Sequence, residues 1–137
     1  MTKIVVDGYN MIRQVRRLSQ KENLSLQAGR EFLIKLLATY KKQKSHQVTI
    51  VFDGQSGLSE FASSHKEQGI EVCFAPHPVC ADDVICQMAE VEKNRLIVVS
   101  SDNAVINFAK KQGCGIIKSP DFYEKLLFAN TLTHMSV

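Results

Sequence analysis

Residues 3–10, Lys-Ile-Val-Val-Asp-Gly-Tyr-Asn, are a short apolar run that ends in an acid and a glycine, and this stretch decides the fold. Similar β-branched runs occupy residues 48–52, 70–74, 96–99 and 115–117, and each is followed by a stretch with helical spacing of its apolar residues. Because the runs are continuously apolar, they predict strands that are buried on both faces. The pattern predicts one α/β domain over residues 1–137, with a largely parallel five-stranded sheet and helices on both faces.

Ordinary capping signals mark where the predicted helices begin. Ser25 is a suitable N-cap for a long helix, and Ser119 with Pro120 is suitable for the start of the last one. A shorter helix is predicted around residues 58–62. The end of the chain, from about residue 130, is predicted to be a short flexible tail.

The composition excludes several classes of protein. The chain of 137 residues is 45% hydrophobic and 23% charged, which is the balance of an ordinary globular domain. No apolar run reaches the roughly 18 to 20 residues that a membrane span needs. The four cysteines contain no C-x-x-C pair, so the sequence signals neither a zinc site nor thioredoxin-type redox chemistry. We therefore expect a cytoplasmic protein with no membrane partner.

Four aspartates follow predicted strands or open a helix beside them. Right-handed crossovers place all strand-to-helix turns of such a sheet at one edge. Any one of these acids is explained equally well as a helix cap. Two carboxylates about 4 Å apart, however, repel by about 4 kcal/mol at an effective dielectric constant near 20, so the group as a whole predicts a bound cation. Carboxylate ligands select Mg²⁺ or Mn²⁺, which can bind a phosphate oxygen and activate water. The four residues are Asp7, Asp53, Asp82 and Asp102.

Three further residues near these acids have weaker cases. Asn10 lies within one helical turn of Asp7, and its amide can donate to a phosphate oxygen and accept from a metal-bound water. Asp83 is a second choice to Asp82, because neighbouring residues at a helix start point in different directions. Ser101 is more simply explained as a helix cap.

The net charge of +3 is unevenly distributed, which suits a partner that carries phosphate. One basic segment follows the first strand directly and is expected at the same edge as the acids. Lys118 follows the fifth strand and returns to that edge. A second basic segment ends the long helix, where it favours the negative end of the helix dipole. The first segment comprises Arg13, Arg16, Arg17 and Lys21, and the second comprises Lys41, Lys42 and Lys44.

Four motifs together resemble those of the NYN domain, in particular its YacP-like branch of the PIN-like ribonucleases. The motifs are Val-Asp-Gly-Tyr-Asn-Met-Ile at 6–12, Val-Phe-Asp at 51–53, Ala-Asp-Asp at 81–83 and Ser-Ser-Asp at 100–102. The resemblance implies a Rossmann-like PIN fold and metal-dependent endonucleolytic cleavage of RNA, free or within a ribonucleoprotein such as the ribosome. It implies metal-site roles for Asp7, Asp53, Asp82 and Asp102, with Asn10 beside them, and Arg13, Arg16, Arg17 and Lys118 are the candidate RNA contacts.

A non-catalytic RNA-binding module with a PIN-like fold is the alternative interpretation. The retained acids argue against it, because a protein that only binds phosphate gains nothing from a cluster of negative charge. Metal-dependent cleavage of RNA is the observation that separates the two interpretations.

Overall fold

The structure is a computed structural model of the protein and describes residues 2–15, 25–54, 63–76 and 78–135. Within these ranges the chain forms six strands and five α-helices, with a short 3₁₀ turn at Lys93–Arg95. In chain order, these elements are β1 (Lys3–Asp7), α1 (Gly8–Gln14), α2 (Leu26–Gln43), β2 (Gln47–Asp53), β3 (Ser63–Glu67), β4 (Ile70–Ala75), α3 (Ala81–Glu92), β5 (Leu96–Val99), α4 (Asn103–Lys111), β6 (Gly115–Ile117) and α5 (Ser119–Met135).

The described strands form one sheet in the order β3-β4-β2-β1-β5-β6. Strand β1 is central, and Val6 lies opposite Ile50 of β2 on one side and Val99 of β5 on the other. Every pairing is parallel except that between β3 and β4. The carboxyl ends of the five parallel strands therefore share one side of the sheet, which we call the carboxyl edge.

Helices cover both faces of the sheet, as the continuous apolar runs predict. Val5 and Val6 are both fully buried, and they enter two different cores. Val6 packs in the core that α1, α2 and α5 cover, together with Phe52. Val5 packs in the core that α3 and α4 cover, together with Ile85. The α/β class with a largely parallel sheet is confirmed.

The predicted number of five strands is wrong, because β3 forms a sixth strand at the edge of the sheet. All five residues of β3, Ser63–Glu67, are exposed, and it pairs with β4 in antiparallel orientation. The two residues of the connecting turn, Gln68 and Gly69, both have positive φ, at 53° and 84°. Two-residue hairpins of type I′ need this conformation. A polar strand with no buried face lacks the apolar run on which the strand prediction relied.

The last helix is longer than the sequence predicts. In place of the tail expected from about residue 130, α5 continues to Met135. Its end is held within the helix by a hydrogen bond from Thr131 Oγ1 to the Leu127 carbonyl (3.0 Å), and Gln43 Nε2 of α2 donates to the Ala129 carbonyl (2.6 Å). The helix predicted around residues 58–62 lies outside the described residues. No described helix is long and apolar enough to cross a membrane.

Gly8 is required by the packing of α1 on β2. A Cβ atom at this position would overlap the ring of Phe52 and would lie 3.0 Å from the carbonyl oxygen of Val51. We expect Gly8→Ala to destabilise the protein by about 1–3 kcal/mol, because overpacking forces the ring and the backbone apart. Urea unfolding measures the effect. Gly115→Ala is the control, since its Cβ would meet the movable Ile97 side chain at 3.3 Å. Equal unfolding midpoints for the two variants would contradict this assignment.

Candidate functional site

The four predicted aspartates all lie at the carboxyl edge. Asp7 ends β1, Asp53 ends β2, Asp82 is in the first turn of α3, and Asp102 is the N-cap of α4. Asp7 is only 5% exposed, whereas the other three are partly exposed. The charges of all three act on Asp7. The topology therefore brings together residues that are up to 95 positions apart in the sequence, counting from Asp7 to Asp102.

Asp7 has a strongly perturbed ionisation. The pKa of Asp7 is raised from 3.8 to about 6, and burial is the largest cause. The hydrogen bond from Ser100 opposes this rise, whereas the charges of Asp82, Asp53 and Asp102 add to it. Burial and the three neighbouring carboxylates therefore disfavour the ionised form of Asp7.

The carboxylates of Asp82 and Asp83 lie in different environments, although the two residues are adjacent in the sequence. Burial, followed by the charges of Asp102, Asp53 and Asp83, raises the pKa of Asp82. Asp83 is exposed, and its Oδ2 accepts hydrogen bonds from the Cys80 N–H and thiol, both at 3.2 Å. The bond from the Cys80 N–H belongs to a capping box at the start of α3, and both bonds lower the pKa of Asp83. Of the pair, Asp82 is the carboxylate that faces the other acids.

Asp53 and Asp102 each hold a helix start with one carboxylate oxygen. Asp53 Oδ1 accepts from the Ala81 N–H at 2.6 Å. Asp102 Oδ1 accepts from the N–H groups of Ala104 (2.8 Å) and Val105 (3.2 Å). Within the described part of the chain, the Oδ2 atom of each has no hydrogen-bond partner. Capping and ligand binding are therefore compatible roles for these two acids, because they use different oxygen atoms.

Ser100 connects two of the acids, and the sequence analysis did not single it out. Its hydroxyl is fully buried, donates to Asp7 Oδ2 at 3.0 Å and accepts from the Asp102 N–H at 3.1 Å. It thereby fixes the orientation of the Asp7 carboxylate relative to the start of α4. A serine at the end of a buried strand was the available signal, but it does not distinguish this role from a helix cap.

Asn10 is a structural connector as well as a neighbour of the site. Its Oδ1 accepts from the Ser101 N–H and from the Ser119 hydroxyl, both at 2.9 Å. Because a carbonyl oxygen has two lone pairs, these bonds fill the position at which Asn10 was expected to accept from a metal-bound water. Its amide N–H₂ is the group that can still donate to a phosphate oxygen. Ser101 caps the start of α5, since its Oγ accepts from the Ser119 N–H at 3.1 Å.

The donor set suits a hydrated hard cation. Among the described residues, no three Asp, Glu, His or Cys side chains are close enough to enclose an ion by themselves. Mg²⁺ commonly keeps several waters and uses one or two carboxylates directly, so an enclosing cage is not required. Within the same residues, no lysine or arginine forms an ion pair with Asp7, Asp53, Asp82 or Asp102. These carboxylates could therefore hold such a cation.

The predicted RNA contacts are described only in part. Arg13 is exposed on α1, and its guanidinium carbon lies 5.7 Å from the centre of the Tyr9 ring. Lys118 is exposed directly after β6, at the carboxyl edge. Arg16 and Arg17 lie outside the described residues. Lys42 and Lys44 are exposed at the other end of α2, as the sequence predicts for the second basic segment.

Two comparisons with solved structures support the fold. The crystal structure of Rae1 (YacP) from Bacillus subtilis superimposes with a TM-score of 0.82, at 23% identity, over 99% of this chain and 79% of that one. A point mutant of the same protein gives a TM-score of 0.80 over 97% of this chain and 79% of that one.

The sequence comparisons agree with this likeness. A curated relative, "Uncharacterized protein YacP" of Bacillus subtilis (strain 168), is 31% identical over an alignment of 107 residues that covers 74% of this chain. The match spans 61% of the relative's own length. Residues 4–135 match the family of the YacP-like NYN domain, whose members have a PIN-like nuclease fold. Because that match covers nearly the whole chain, the protein belongs to the YacP-like NYN domain family.

Proposed function

We propose that this protein is an endoribonuclease that hydrolyses RNA phosphodiester bonds and depends on Mg²⁺ or Mn²⁺. The observation that carries the proposal is the buried Asp7 carboxylate, whose charge is disfavoured by three more carboxylates at the same edge. Carboxylates in such a cluster repel one another, which disfavours their ionised forms. A divalent cation bound among them offsets this repulsion.

The aspartates would bind the cation, and Ser100 orients the carboxylate of Asp7. Asp7, oriented by Ser100, and Asp82 are the carboxylates that would hold the cation, with Asp53 and Asp102 contributing their second oxygen atoms. When bound, the cation supplies Lewis acidity, which polarises the phosphate and favours deprotonation of water. The Asn10 amide N–H₂ would donate to a non-bridging phosphate oxygen.

The choice of RNA as substrate rests on charge and on the family. Exposed Arg13 and Lys118 provide cationic groups beside an acidic crevice, which would otherwise repel a polyanion. The family's PIN-like nuclease fold favours a nuclease over a phosphatase acting on small molecules.

The test is incubation of the purified protein with end-labelled single-stranded RNA, in Mg²⁺, in Mn²⁺ and in chelator. We expect internal cuts that appear with either metal and disappear with the chelator. A DNA oligonucleotide of the same sequence, tested in parallel, is expected to remain intact.

Three other results would change the assignment. RNA binding without any cleavage would support the non-catalytic RNA-binding module instead. Cleavage that persists in chelator would overturn the metal dependence. Equal cleavage of DNA would show a nuclease that does not select RNA.

A further inference from the structure

Two arginines contact one buried tyrosine of α1, the helix that directly follows Asp7. Tyr9 is 7% exposed, and its ring packs against Phe52 with 4.9 Å between ring centres. Arg30 Nη1 of α2 donates to the Tyr9 hydroxyl at 2.9 Å. Arg13 of α1 lies over the face of the same ring, at 5.7 Å from its centre. One aromatic side chain thus contacts two guanidinium groups.

Arg30 is fixed by a second aromatic contact. Its guanidinium carbon lies 5.7 Å from the centre of the Phe74 ring, and Phe74 stacks on Phe52 with 5.6 Å between centres. Such contacts orient a guanidinium without neutralising it. Of the five N–H donors in a guanidinium, the Tyr9 hydroxyl takes one. Among the described residues, neither Arg13 nor Arg30 forms an ion pair, so their charges are available to an anion.

Both arginines belong to helices that begin at the carboxyl edge. Tyr9 is two residues after Asp7, and Asn10 follows it directly. Helix α2 enters at the carboxyl edge and leads back to β2, so Arg30, near its start, lies at that edge. A cleft of 130 Å³ adjoins Arg30, and its lining includes the rings of Phe74 and His65, which are 16° from parallel, and the carboxylates of Glu31 and Glu67.

From this geometry we infer that Arg13 and Arg30 form a clamp for neighbouring phosphates of single-stranded RNA leading to the acidic crevice. The inference rests on the proposed function and adds the path of the substrate. Planar guanidinium groups match the oxygens of a phosphate in a bidentate manner. Aromatic side chains beside cationic groups are typical of sites for unpaired strands, which leave bases free to stack. Tyr9 acts as a positioning residue for Arg30.

The test measures RNA binding in chelator, where cleavage does not interfere. The affinity for a fluorescent single-stranded RNA is determined by anisotropy across a salt series. We expect Arg30→Ala to weaken binding and to reduce the slope of log K against log salt by about 0.7, the value for one lost single-strand phosphate contact. Arg13→Ala, at an exposed position, should do the same. Lys42→Ala is the matched control, because it removes one exposed charge from the opposite end of α2.

Tyr9→Phe separates orientation from charge. It removes the hydroxyl that accepts from Arg30 but leaves both positive charges in place. We expect a several-fold loss of affinity with an unchanged salt slope. A melting temperature equal to that of the parent protein shows that the variant is folded.

The outcomes distinguish the clamp from the proposed function. If the parent binds and cleaves RNA but Arg30→Ala and Arg13→Ala behave like Lys42→Ala, the clamp is wrong and the nuclease assignment stands. If the parent neither binds nor cleaves RNA, the proposed function fails and the clamp fails with it. Equal affinity for a duplex of the same sequence would overturn the assignment to unpaired strands.

Discussion

Asp7→Asn is expected to stabilise the metal-free protein at pH 7 and, at the same time, to remove metal-dependent RNA cleavage. The folded protein binds a proton at Asp7 more tightly than the unfolded chain does, because burial and neighbouring charges raise the pKa of this residue to about 6. At about 1.36 kcal/mol per pH unit, ionised Asp7 opposes folding by up to about 3 kcal/mol. Asparagine keeps the shape, and its amide can donate to the neighbouring carboxylates.

The sign of the pH dependence follows from the raised pKa. The contribution of protonated Asp7 to stability is fully present below pH 3.8 and is lost as the pH rises through about 6. The stability of the parent protein should therefore fall over this range relative to the variant. Asp82, whose pKa is also raised, leaves a smaller dependence of the same sign in both proteins.

Urea unfolding of both proteins at pH 4 and pH 7, in chelator and with Mg²⁺, measures these effects. Mg²⁺ should stabilise the parent by mass action, by about 2.7 kcal/mol at a hundred times its Kd, and the variant much less. Glu90→Gln removes a negative charge from an exposed position of α3 and serves as the control. A variant that is less stable than the parent at pH 7, or that still cleaves RNA with metal, would refute the role given to Asp7.

Asp82→Asn and Asp83→Asn form a matched pair at adjacent positions. We expect Asp82→Asn to reduce cleavage by at least about a hundredfold, which is the usual effect of removing one group that stabilises developing charge. Its fold should be unaffected, since the described residues provide no hydrogen bond to its side chain. Asp83→Asn should cleave normally and lose a little stability, because Asp83 belongs to the capping box at the start of α3.

Cleavage rates and melting temperatures of both variants are the measurements. The reverse pattern, with Asp83→Asn inactive and Asp82→Asn active, would mean that the other face of α3 contacts the substrate. Equal loss in both variants would indicate that the negative charge of the helix start as a whole matters, and not one ligand.

Features with a strong local signal could be predicted from the sequence. Continuous apolar runs such as Ile4–Val6 predict buried parallel strands, because only a sheet covered on both faces buries every residue of the run. The parallel topology then places Asp7, Asp53 and Asp102 at one edge without any knowledge of contacts. The structure has Asp7 at the end of β1 and Asp102 at the start of α4, as the sequence predicts.

Other features depend on contacts that no local pattern contains. Strand β3 is fully exposed, so its pairing with β4 gives no periodic signal. Arg30 is 23 residues from Asp7, and its hydrogen bond to the Tyr9 hydroxyl joins two different helices. The small size of Gly8 is required by the Phe52 ring, which belongs to another element of the fold. Such contacts join different elements of the fold, so no local sequence pattern predicts them.

The central position of β1 has a consequence for synthesis on the ribosome. The first strand to be made pairs with β5, and the Asp7 carboxylate receives its hydrogen bond from Ser100, 93 residues later. Pairings between such distant segments form late, because the loop between them must be closed first. A nascent chain that ends before Val99 has β1 and β2 but lacks Ser100, which orients Asp7, and Asp102. The proposed cleavage of RNA would therefore require synthesis to proceed beyond Asp102, and shorter nascent chains would not cleave RNA.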